Sequence, residues 1–152
     1  MKTLGRSMRR WAAMVTLGTT VLAGSAVLAG QTAYQPKFPG DPAHSDSEAV
    51  ALGYARTLTR AQHLYNKKNG QYATSLIQLV HVGTFTRRMV EPEQGDYKVS
   101  FHPHKDGFDL TMTPKQLDAD HRSFYGNEKG AIHGDDQKTA NEDSPVLKGR
   151  DH

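Results

Sequence analysis

The chain has 152 residues, with 19 Lys and Arg, 16 Asp and Glu, eight His and no Cys. The missing cysteine excludes disulfides, thiolate zinc sites, a cysteine nucleophile and a lipid-modified cysteine anchor. The formal net charge of +3 rests on the first few residues, so it gives no support to nucleic-acid binding, which needs a basic patch on the working domain.

Lys2, Arg6, Arg9 and Arg10 open the chain, and no acidic residue precedes Asp41. From Trp11 to Ala29 no residue is charged, and the run is rich in Ala, Val, Leu, Gly and Thr. A basic start, an apolar stretch and small residues at its end form the pattern of a secretory signal peptide. Residues 1–29 are therefore read as an export segment. Val27-Leu28-Ala29 suits cleavage before Gly30, and Ala26 marks a second site. An uncleaved membrane anchor is the competing reading, although the stretch is short against the ~20 residues that span a bilayer and is diluted by Gly and Thr. The residues around Arg9-Arg10 do not support a twin-arginine route. Taking the four leader cations from the 19 leaves 15 basic against 16 acidic residues. The remaining ~120 residues suffice for one small domain.

Residues 30–44 contain Pro36, Pro39, Gly40 and Pro42 and read as an extended linker. The folded domain is expected over 45–134. Ser45-Asp46-Ser47-Glu48 supplies a helix start, with Ser45 and Glu48 spaced as a capping box. Val50, Tyr54, Leu58, Ala61 and Tyr65 follow on one helical face, while Arg56, Arg60 and Lys67 fall elsewhere. The helix should end near Lys68-Asn69-Gly70, where Asn and Gly permit a left-handed turn. Thr74 or Ser75 caps a short second helix through Leu76, Ile77, Leu79 and Val80.

Beyond Gly83 the pattern becomes alternating. Tyr97, Val99 and Phe101 interleave with Lys98, Ser100 and His102, then His104-Lys105-Asp106-Gly107 turns the chain into Phe108, Leu110 and Met112. This predicts an antiparallel hairpin. A polar crossing, 115–121, leads to a second hairpin, in which Arg122-Ser123-Phe124-Tyr125 and Ala131-Ile132-His133 flank a glycine-bounded turn. Residues 135–152 are polar and charged and are expected to be a disordered tail. The elements together predict an α+β fold: one amphipathic helix packed on an antiparallel sheet of about four strands.

The stretch Leu64-Tyr65-Asn66-Lys67-Lys68-Asn69-Gly70-Gln71-Tyr72-Ala73-Thr74-Ser75-Leu76 resembles the end of the long helix in type IV pilins and type II secretion pseudopilins. The later segments are similar too: Tyr97 to Phe101, Phe108 to Pro114, and the final hairpin with Arg122, Phe124, Gly130 and Ile132. The resemblance covers about 47–134 and implies a head in which a sheet packs on the helix. Ala73 stands where the family commonly has proline. The leader departs further. Gly18 is followed by Thr19-Thr20-Val21-Leu22-Ala23, with no glutamate in the apolar run, and the Pro-rich linker interrupts the helix. Family members use that glutamate in subunit registration, so filament assembly by the usual route is not expected.

Four histidines are the candidate metal ligands. His102 and His104 lie two apart on a strand and share a face if the alternation survives Pro103; His121 and His133 approach them if the sheet folds as expected. Such a set suits zinc, copper or nickel, against the plainer reading of exposed polar residues on an outer sheet face. Asp118, Asp120, Glu128, Asp135 and Asp136 provide oxygen ligands, but their spacing matches no calcium loop. No nucleophile elbow and no phosphate-binding glycine loop is present. Most aromatic residues fall on inward faces; Phe85 and Tyr125 are left for either the core or a contact surface. The expected function is that of an exported, non-enzymatic cell-envelope protein, a pilin-like structural or interaction module. It is expected to use protein partners, no cofactor and no nucleic acid, and to contact membrane only if residues 1–29 are retained. A minor pilin or pseudopilin with a retained membrane helix, and a histidine-based periplasmic metal binder, are the alternatives.

Overall fold

A computed structural model describes residues 33–148. Residues 1–29, expected to be an export segment, lie outside them. Among the described residues no helix is long and apolar enough to cross a membrane.

The first element is a helix, α1 (Asp46–Asn69). The Ser45 side chain accepts the Glu48 N–H at 3.1 Å, Asp46 and Glu48 occupy the first turn, and Lys67 and Lys68 the last. Each charge therefore opposes the partial charge of the helix end beside it. Gly70 stops the helix at φ +72°, its N–H bonding the Asn66 carbonyl at 2.7 Å, in a left-handed conformation that glycine adopts without a Cβ penalty.

Two single 3₁₀ turns follow, Leu76–Leu79 and Arg87–Val90. Five strands complete the fold: β1 (Glu93–Gln94), β2 (Tyr97–His104), β3 (Gly107–Pro114), β4 (Ser123–Asn127) and β5 (Ile132–Asp135). They form one antiparallel meander in chain order, so each strand is hydrogen-bonded to its sequence neighbours. The class is α+β, as the sequence pattern predicts. The fifth strand is the two-residue β1, too short to leave a periodic signal.

Register follows the alternation. Phe101 stands opposite Leu110, Val99 opposite Met112, and Met112 opposite Phe124, which sets these side chains on the inner face. That face meets Leu52, Ala55, Leu58 and Ala61 of α1, all buried. β4 is buried along its whole length, because α1 covers one side and the C-terminal segment covers the other.

Four expectations change. Tyr54, Leu58 and Ala61 are buried as the period predicts and Tyr65 packs partly buried on the core, but Val50 is 55% exposed, and Ala51, Leu52 and Ala55 complete the buried face of α1 in its place. Glu48 does not complete the capping box, since its carboxylate accepts N–H groups of His44 and Arg122 rather than that of Ser45.

The linker, as far as it is described, is fastened rather than extended. Asp41 accepts the Tyr34 hydroxyl at 2.6 Å and the N–H groups of Lys37 and Ala43, and Ala43 is buried.

The segment expected as a disordered tail folds back as far as it is described. Gly134 N–H bonds Pro145 O at 2.9 Å and Leu147 N–H bonds Ile132 O at 2.8 Å, so residues 145–147 run antiparallel along β5. Ala140 and Ser144 are buried. Few apolar residues are needed for this ordering, because backbone and polar side chains of the sheet supply the bonds.

Candidate functional site

The four candidate histidines do not converge. His102 is exposed on the outer face of β2, opposite Asp109. His104 shares that face across Pro103, which stays in the ladder opposite Phe108; its Nε2 lies 3.7 Å from Glu128 Oε2 in the β4–β5 turn. His121 precedes β4 at the other end of the sheet, with Nδ1 2.9 Å from Asp118 Oδ1. His133 is buried on β5, where Nδ1 meets Ser144 O at 2.6 Å and the ring stands edge-on to Tyr125 at 5.8 Å. Among the described residues no group of three or more His, Asp or Glu side chains is arranged to hold a metal ion.

The acidic residues fasten turns. Asp118 accepts the His121 ring and the Asp120 N–H, and its carboxyl is held below its ordinary value, first by the hydrogen bond from His121. Asp135 accepts Gln137 and Lys138 N–H groups and the Ser144 hydroxyl, and its carboxyl is lowered chiefly by the Gln137 N–H. Tyr125 donates to Asp109 Oδ1 at 2.5 Å; burial first, then this carboxylate, pushes the phenol up to about 12. Phe85 is 1% exposed in the core beside Tyr54, so neither aromatic left open by the sequence stands on a contact surface.

A second constellation is tertiary. A groove of about 660 Å³ runs between the solvent side of α1, the β4–β5 turn and residues 146–147. Its floor is apolar, formed by Ile132 and Leu147. Along its helical wall stand Arg56, Arg60, His63 and Lys67, and Lys129 contributes from the turn. No carboxylate lines it. Lys129 is paired with Glu142, Arg56 lies over the Phe38 ring at 5.7 Å and His63 Nε2 bonds Glu128 O at 2.9 Å. Arg60 and Lys67 are exposed and make no ion pair with any described residue.

These residues escaped the sequence reading, which set Arg56, Arg60 and Lys67 aside as the polar side of the helix. A signal was present: 56, 60, 63 and 67 are spaced four, three and four, one helical stripe. Between Glu48 and Glu91 the sequence has no carboxylate to offset it. What the sequence did not contain is the opposite wall, made by a segment expected to be unstructured.

Comparison with known proteins returned no match of this chain to a family model, a curated protein or a solved structure.

Proposed function

We propose that the protein is an exported, non-enzymatic component of the cell envelope, a pilin-like structural or interaction module. The observation that supports this reading is the arrangement in chain order. One long helix stops at Asn69 and Gly70, and an all-antiparallel meander then packs its inner face on one side of that helix. This is the architecture that the resemblance of 47–134 implies. His121, His133, Asp118 and Asp135 are engaged in turns and inter-strand contacts, which favours a scaffold that presents a surface over one that performs chemistry. Function is argued from the surface such a scaffold offers, because a fold alone carries none.

The test is to recover the protein from cells, fractionate them and sequence its N-terminus. An N-terminus at or near Gly30 in the soluble envelope fraction is the expected result. Recovery of the intact chain from the cytoplasm refutes export. Retention of the apolar segment in the membrane fraction replaces the free module with an anchored, pseudopilin-like subunit.

A further inference from the structure

The groove beside α1 is bounded on its far side by an unfinished sheet edge. In an antiparallel pair, successive residues turn their N–H and C=O groups alternately toward the partner strand and away from it. Pro145 O and Leu147 N–H are the groups bonded to β5, across the pair His133 and Val146. Val146 therefore turns its N–H and C=O away from β5, at the rim of the groove, and its side chain is 58% exposed. Proteins usually blunt such an edge with charge, proline or a covering element. Nothing among the described residues pairs with the outward N–H and C=O of Val146.

Opposite this edge stands the cationic stripe of α1. From position 56 to position 67 it is ~16 Å long at ~1.5 Å per residue. That matches about five residues of extended chain at ~3.3 Å each. A single anionic headgroup would meet one or two of these cations; a row of this length calls for negative charges repeated along a chain. The apolar floor of Ile132 and Leu147 takes the alternate side chains of the same strand.

From these three features we propose that the groove binds an extended acidic segment of a partner protein, alternating carboxylate and apolar side chains. The segment adds as a strand to the edge at Val146 and directs its carboxylates to Arg60 and Lys67. Backbone bonds supply affinity in this mode, and the side-chain alternation supplies choice of partner. The inference rests on the reading of the protein as an interaction module.

The test uses the full chain in a non-ionic detergent and a fluorescent peptide of alternating Glu and Val. A Lys and Val peptide, and the Glu and Val peptide N-methylated at alternate residues, serve as controls. The acidic peptide is expected to bind at least tenfold more tightly than either control, and to weaken as salt rises. The double variant Arg60→Glu and Lys67→Glu, both exposed positions, should weaken it at least tenfold with an unchanged thermal melt. Val146→Pro, which deletes the outward N–H, should do the same.

Equal binding of the N-methylated peptide overturns strand addition. Equal binding by the charge-reversed variant overturns the stripe. Binding of a soluble short-chain phosphatidylglycerol with no binding of the peptide assigns the groove to an anionic lipid instead. Self-association lost in the charge-reversed variant assigns it to a second copy. The assay is indifferent to export, so its failure leaves the envelope reading to N-terminal sequencing.

Discussion

Glu48 is fully buried at the start of α1, and its carboxylate holds four hydrogen bonds. It accepts His44 N–H at 2.8 Å, Arg122 N–H at 2.8 Å, Arg122 Nε at 2.9 Å and Arg122 Nη2 at 2.7 Å. The same Arg122 Nη2 also reaches Pro42 O. One carboxylate thus ties the segment before the helix, the helix itself and the entry to β4. Glu48→Ala leaves a guanidinium that is only 12% exposed without its counter-charge, and two backbone N–H groups without an acceptor. Breaking a buried ion pair from one side costs about 3–5 kcal/mol. The orphaned amides belong to the same rupture, so their cost is part of that figure. With a urea m-value of ~1.5 kcal/mol/M, the midpoint should fall by ~2–3 M.

The pH profile carries the same signature. Burial by itself would raise the Glu48 carboxyl, but the hydrogen bonds and charge of Arg122 and the His44 N–H outweigh it and hold the group below its ordinary 4.5. A carboxyl depressed in the folded state contributes its stability above 4.5 and loses it as the pH falls through the lower, folded value. Urea unfolding followed by circular dichroism from pH 7 to pH 3 should show that loss in the native chain and a shallower one in Glu48→Gln. A cost below ~1 kcal/mol for Glu48→Ala, or strict additivity with Arg122→Met in a double-mutant cycle, would refute the reasoning.

Three further outcomes are expected. The amides of Ala140 and Leu147, bonded to Ser123 Oγ at 3.0 Å and Ile132 O at 2.8 Å, should exchange with deuterium at least ~100-fold more slowly than a free chain; free-chain rates would restore the disordered tail. Phe85→Ala should cost about 3–5 kcal/mol in urea unfolding, whereas Val50→Lys should stay within ~0.5 kcal/mol. A costly Val50→Lys would return that residue to the buried face. His81 holds φ +71° with its N–H on Phe85 O at 3.0 Å, a conformation that suits glycine. His81→Gly should therefore raise the thermal midpoint or leave it unchanged, with a gain of at most ~1 kcal/mol; a fall would show that the ring makes a needed contact.

The strands were legible because their pattern is short-range. Tyr97, Val99 and Phe101 facing Leu110 and Met112, and the two residues between His104 and Gly107, specify a hairpin and its register from chain-local chemistry. The limits of α1 were legible for the same reason, from Ser45 at one end and Gly70 at the other. So was most of its buried face, since Tyr54, Leu58 and Ala61 are buried as the period predicts. The first turn was not: Val50 and Ala51 are adjacent, and which of them faces inward depends on the position of β3 and β4, set by turns far along the chain.

The candidate site divides along the same line. The sequence by itself determined the basic, apolar leader, the charge asymmetry that leaves 49–90 without a carboxylate, and the α+β class. Those are properties of composition and period, which need no third dimension. Only the tertiary structure decided that Glu48 would find Arg122, that His102, His104, His121 and His133 would stay apart, and that residues 135–148 would fold back. Hydrogen bonds between groups as far apart as Ala140 and Ser123 leave no periodic trace in either segment. The second wall of the groove therefore exists only once the chain has folded.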